Sequence, residues 1–130
     1  GNDQILLRYA DVILMYAEAL NEIGYDASEG SVALKQLNDV RERAGISKLT
    51  AVDVPNKEAF KKAILDERQR EFPYEGQRWF DLVRMGYAKQ ALHAEGIEVQ
   101  DYQLLFPIPQ TEIEKIGNAS ILWQNPGYDK

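Results

Sequence analysis

The sequence predicts an all-α fold of helical hairpins with an irregular C-terminal tail. Three observations carry that reading: apolar residues recur at helical spacing over 5–23, 33–44 and 57–71, glycine closes each of the first two runs, and strand signals are confined to one short stretch at 99–106. Each element follows from its residues.

From 5 to 23 the polar positions 8, 11, 18 and 22 form a narrow stripe on an otherwise apolar helix, which calls for cover on most sides. Gly24 is expected to supply a left-handed stop. After a short polar link with Asp26 and Ser28, the residues Ala33, Leu34, Leu37, Val40 and Ala44 mark one face of a second helix, stopped by Gly45. So short a link folds the two into an antiparallel hairpin over 5–45. Pro55 and Asn56 end a linker and cap a third helix that starts near Lys57. On it Phe60, Ala63, Ile64, Glu67 and Glu71 share a face, so an apolar seam turns acidic as it nears Pro73, where the helix must kink or end. A fourth helix is expected from Glu75 to Met85, completing a second pair over 57–86. Ala88 to Ala94 forms a short helix, 99–106 reads as extended, and Thr111 with Glu114 has capping-box spacing before a helix closed by Gly117. An Asn-Pro-Gly turn lies between Trp123 and Tyr128. The region 87–130 is thus short helices and loops, and 1–130 reads as a single region. Two hairpins are too few for a helical solenoid, so the chain reads as a fragment of a longer protein.

The 130 residues suffice for one core, burying roughly two-thirds of the surface of the unfolded chain. With 21 acidic against 15 basic residues and no basic stripe, nucleic acid is not an expected partner. The absence of cysteine removes disulfides, thiolate metal sites and thiol nucleophiles. No apolar run reaches membrane-spanning length, because Arg8, Asp11 and Glu18 interrupt the longest.

The segment 64–86 packs nine charged residues of both signs among Phe72, Tyr74, Trp79 and Phe80. It is either a buried ion-pair lattice or a site. Glu67 and Glu71 lie four apart on one face, and two carboxylates about 5–10 Å apart could serve a glycosidase. Arg68, Arg70, Arg78 and Arg84 in the same segment would depress their pKa values, which favours ion pairs. Trp79, beside Phe80 on a helix, reads as core. The single histidine, His93, has no glutamate three residues upstream, so a carboxylate-bridged metal pair is not expected. No serine sits in a nucleophile-elbow context and no glycine-rich phosphate loop occurs, so no catalytic, metal or cofactor residue is assigned. Trp123 and Tyr128 in the tail are candidate sugar-stacking aromatics, against the alternative that they pack back on their own domain.

The core of 64–86, ER-x-x-EF-x-x-EG-x-RWFDLVR, resembles the C-terminal signature of the SusD/RagB family. LLRYADVILMYAEALNE at 6–22, LKQLNDVRERAG at 34–45, LLFPIPQTEI at 104–113 and QNPGY at 124–128 resemble the same family in the same order. Pro73 and Met85 depart from the family pattern. The resemblance implies tetratricopeptide-like helix pairs in a lipid-anchored protein of the outer membrane surface of Bacteroidetes. Such a protein captures oligosaccharide or other glycan and acts as a lid on a SusC-like TonB-dependent transporter, without catalysis or cofactor. It implies too that this chain is the C-terminal part alone, the anchor lying elsewhere.

On the residues themselves, Glu67, Arg68, Glu71, Glu75, Arg78, Asp81 and Arg84 would tie the third and fourth helices together, with Trp79 packed among them and Gly76 permitting the turn. Two other readings stand beside the binding scaffold: a glycoside-active enzyme using Glu67 or Glu71, and a generic helical-repeat interaction module.

Overall fold

A computed structural model describes residues 7–128, and all regular structure among them is helical. The helices are α1 (Tyr9–Ile23), α2 (Val32–Arg43), α3 (Lys57–Glu71), α4 (Arg78–Arg84), α5 (Ala88–Ala94) and α6 (Gln110–Ile116), with a 3-10 turn at Asp101–Leu104. The chain divides into two compact units, Gly1–Asp81 and Leu82–Lys130, the boundary falling inside α4.

In the first unit α1 packs on α2 and α3. Ala10, Leu14 and Ala17 from α1, Leu34, Leu37 and Val40 from α2, and Phe60, Ile64 and Leu65 from α3 are buried in its core. Alanines seven apart on α1 let the neighbouring backbones approach closely. The predicted start of α1 at Ile5 lies outside the described residues, and Leu7 and Arg8 precede the helix.

Gly24 is not the left-handed stop expected of it. Its φ of −179° is extended, and its N–H caps α1 by donating to the Leu20 carbonyl. The exit direction is set instead by Tyr25, whose hydroxyl donates to the Val54 carbonyl and whose ring tilts against Phe60 at 5.7 Å. At the end of α2, Gly45 does take the left-handed conformation, with φ +73°.

The linker to α3 is held by side chains. The Asn38 amide bonds both the N–H and the carbonyl of Leu49, each at 2.8 Å, and Asn56 caps α3 by accepting from the Ala59 N–H. α3 ends at Glu71, two residues before Pro73, and α4 begins at Arg78 rather than Glu75. The residues between form a tight turn: the Glu75 N–H donates to the Phe72 carbonyl, and Tyr74 has φ +64°. With proline at its second position and positive φ at its third, this is the geometry of a type II turn.

In the second unit the stretch expected to be extended contains the 3-10 turn, because the Gln103 side chain accepts from the Gln100 N–H and closes it. α6 starts at Gln110, so Thr111 sits inside the helix and the expected capping box does not form. Gly117 closes α6 at φ +62°. The Asn-Pro-Gly turn is present, with the Tyr128 N–H donating to the Asn125 carbonyl.

α1 carries a second, outward stripe. Tyr9, Val12, Tyr16, Ala19 and Ile23 follow three-four spacing, bear no charge and are exposed. That pattern is a helix-packing seam left open. The chain is therefore expected to self-associate, its mass by light scattering rising with concentration. Tyr16→Glu should return it to a monomer, and a clean monomer before substitution would contradict this.

Candidate functional site

The turn between α3 and α4 gathers the charges of 64–86, together with partners from α1 and α2. Arg68 is at the centre, 5% exposed. Its Nη1 donates to Asp11 at 2.6 Å, its Nε to Asp81 at 2.7 Å and its Nη2 to the Gln77 amide oxygen at 2.8 Å. One guanidinium thus joins α1, α3, the turn and the first residues of α4. Planar geometry and weak hydration suit arginine to such a position.

Around it the remaining charges pair across helices. Arg8 donates to Glu71 at 2.8 Å, to the Glu71 carbonyl at 2.7 Å and to both oxygens of Glu75. Arg43 of α2 also holds Glu71. Glu67, whose side chain is 2% exposed, accepts from Arg41 at 2.6 Å and from Arg70 at 3.3 Å. Arg78 donates to the Leu65 carbonyl at 3.0 Å. Gly76 has φ +76° and Arg84 lies in the last turn of α4. The guanidinium carbons of Arg8 and Arg68 stand 4.8 and 5.0 Å from the centre of the buried Phe72 ring, a cation–π arrangement.

These pairings differ from the sequence expectation in their reach. The expected tie ran between α3 and α4, where Arg68 meets Asp81 and Arg78 the Leu65 carbonyl; Glu67 and Glu71 reach also to Arg41 and Arg43 of α2, Arg70 of α3 and Arg8. The partners Arg8, Asp11, Arg41, Arg43 and Gln77 were not assigned from sequence. Arg8 and Asp11 did leave a signal, as two members of the polar stripe on α1, but a stripe does not say what it faces.

Burial pushes the Glu71 carboxyl upward, and the hydrogen bonds and charges of Arg43 and Arg8 outweigh it, leaving the pKa below its ordinary value. Arg8 is held charged by the hydrogen bonds it donates to Glu75 and Glu71. A carboxylate so arranged is an acceptor, not a proton donor.

The aromatics of the segment separate. Phe72 is buried and Trp79 half-buried, so Trp79 is not full core as expected, while Phe80 is 62% exposed and Tyr74 fully exposed. Gln69, Phe72, Pro73, Tyr74, Arg78 and Trp79 line an open groove of about 480 Å³.

In the second unit the two tail candidates also separate. Trp123 is 63% exposed. Tyr128 is half-buried, donates its hydroxyl to the Leu105 carbonyl at 3.0 Å and meets Tyr102 edge-on at 5.1 Å. Gly127 lies against Tyr102 so closely that a Cβ would come within 2.4 Å of the ring. The Gln124 amide bonds the N–H and carbonyl of Ile108 at 2.7 and 2.8 Å.

Two outcomes follow for the ion pairs. Arg68→Met strips Asp11 and Asp81 of their guanidinium and should destabilise the fold by about 3–5 kcal/mol in chemical denaturation; leucines at 11 and 81 in the same chain should restore most of it. Because the folded pKa of Glu71 is lowered, its contribution is present above the unfolded value near 4.5 and is lost as pH falls through the folded value. Glu71→Gln should therefore lower the thermal midpoint at neutral pH and flatten its decline in acid.

Residues 1–104 match the SusD family. Over 98% of its length the chain is 33% identical to "SusD-like protein P2" of Formosa agariphila, covering 26% of that protein. It is 30% identical over 95% of its length to "Starch-binding protein SusD" of Bacteroides thetaiotaomicron, covering 21% of it. The solved structure of a "Laminarin binding SusD-like protein" superposes on 96% of the chain with a TM-score of 0.67 at 33% identity, the match spanning 23% of that protein. The chain thus spans about a quarter of the length of these relatives. With four-fifths of its residues matching the family and the all-helical architecture shared with a solved relative, this chain belongs to the SusD family.

Proposed function

We propose that this chain is the C-terminal helical scaffold of a SusD-like glycan-capture protein of the outer membrane surface. In this reading the parent protein is lipid-anchored and works with a SusC-like TonB-dependent transporter. It binds oligosaccharide without cleaving it and needs no cofactor. Relatives described as starch-binding and laminarin-binding support the ligand class.

The observation that carries the non-catalytic part is the state of the carboxylates. Glu67 accepts from Arg41 and Arg70, and Glu71 from Arg8 and Arg43. A glycosidase needs one carboxyl with a raised pKa to protonate the leaving oxygen, and Glu71 is shifted the other way. Against a generic helical-repeat interaction module stand the relatives' ligands. Of the tail aromatics, Trp123 presents a free face for sugar stacking, while the hydroxyl and ring of Tyr128 are engaged within the tail.

No helix among the described residues is long and apolar enough to cross a membrane. Glu67→Gln and Glu71→Gln in the parent protein separate scaffold from enzyme. Neither the original nor either variant should release reducing sugar from starch or laminarin. Turnover that disappears in a folded variant would establish the enzyme instead. Trp123→Ala should weaken glycan binding by about tenfold, corresponding to roughly 1.4 kcal/mol, whereas Tyr128→Phe should leave affinity unchanged.

A further inference from the structure

Tyr74 occupies a position that stability does not explain. It is the third residue of the 72–75 turn, where φ is +64° and glycine or asparagine is the favoured occupant. A bulky side chain there is strained, and within this chain burial gives nothing back, because the residue is fully exposed in it. The backbone turn would form at lower cost with glycine. What tyrosine adds at this position is an aromatic ring standing free at the edge of the α3–α4 groove.

The rest of the groove supplies matching chemistry. Trp79 is half-buried along it, Phe72 and Pro73 give apolar surface, and Gln69 and Arg78 contribute a planar amide and a planar guanidinium. Its volume of about 480 Å³ falls within the usual range for small-ligand sites. Aromatic faces suit the C–H surface of a pyranose ring, and planar polar side chains suit its neighbouring hydroxyls. The nearby carboxylates Asp81, Glu71 and Glu75 are already bonded to arginines, so the groove does not offer a cation a free anionic ligand.

We propose that this groove is a glycan subsite in which a pyranose ring packs against Tyr74 and Trp79 and its hydroxyls bond Gln69 and Arg78. The subsite rests on the glycan-capture reading above, and is separate from Trp123 in the second unit. Arg68, which also lines the groove, is committed to Asp81 and Gln77 and so acts as a positioning residue for the segment that carries Arg78 and Trp79.

The sequence contains only two tryptophans, so each can report on its own surroundings. With Trp123→Phe in place, Trp79 is the sole indole, and its emission is followed during titration with maltohexaose and with laminarihexaose. A saturable blue shift is expected with at least one of them. Adding Tyr74→Gly should weaken that binding at least tenfold without lowering the thermal midpoint, since glycine relieves the strained turn. Unchanged affinity in the glycine variant overturns the subsite.

The companion chain with Trp79→Phe reports from Trp123. A response there with none from Trp79 overturns the subsite while leaving glycan capture standing. No heat in calorimetry and no response from either indole, with either hexaose, overturns both. A saturable Trp79 response to a proline-rich peptide and none to the hexaoses overturns the subsite in favour of a peptide groove.

Discussion

Everything in the first unit depends on where the Arg68 guanidinium sits. It is buried, and its donors go to Asp11 on α1, Gln77 in the turn and Asp81 at the start of α4. One and two turns earlier on the same helix, Ile64 and Phe60 are fully buried in an apolar seam. The seam changes from apolar to ionic within one turn, so α3 packs against its neighbours first by shape and then by direction. Apolar surfaces of this size would hold the helices together as strongly but would tolerate sliding, whereas a forked, fully bonded cation accepts one register. Desolvating it is costly, and the geometry offsets that cost only because carboxylates close on it from two helices.

A second tier of pairs surrounds the first. Glu71 lies between Arg8 and Arg43, Glu67 between Arg41 and Arg70, and the Phe72 ring is approached by the guanidinium groups of Arg8 and Arg68. This accounts for aromatics threaded through a charged segment. Phe72 provides an apolar surface on which two cations can lie without a water shell. Tyr74 and Phe80 do nothing of the kind, since both project into solvent, and Trp79 lies between the two cases. A single run of sequence thus contains both an ionic interior and an aromatic exterior.

The helices were legible because each depends on local signals: spacing on α2 and α3, Asn56 as a cap, Pro73 and Gly45 as breaks. Local signals misled where a longer contact overrides them. Gly24 looked like a left-handed stop, but the anchoring of Tyr25 on Val54 draws the chain out extended. Thr111 and Glu114 had capping spacing, yet Pro109 and Gln110 open the helix two residues earlier, and Glu114 pairs with Gln110 instead. The charged segment was legible as a choice between lattice and site. Its partners were not, since Arg8 reaches Glu75 across 67 positions and Arg68 reaches Asp11 across 57. Nothing in the spacing of Arg8 and Asp11 distinguishes a solvated stripe from one that faces buried counter-ions.

The same logic bears on which groups remain free for a ligand. Glu67, Glu71, Glu75 and Asp81 all accept from guanidinium groups, and arginines committed to carboxylates are poor nonspecific anion sites. Among the side chains left outward are the aromatics Tyr74, Phe80 and Trp123. In the tail this surface is made stiff without a sheet: Gln124 bonds both backbone groups of Ile108, the Asn125 amide donates to the Phe106 carbonyl, and Gly127 lies against Tyr102. Trp123, next to Gln124, is therefore presented from a backbone already fixed. A ring held that way would lose little freedom on being covered, which is what the sugar stacking proposed for Trp123 requires of the loops around it.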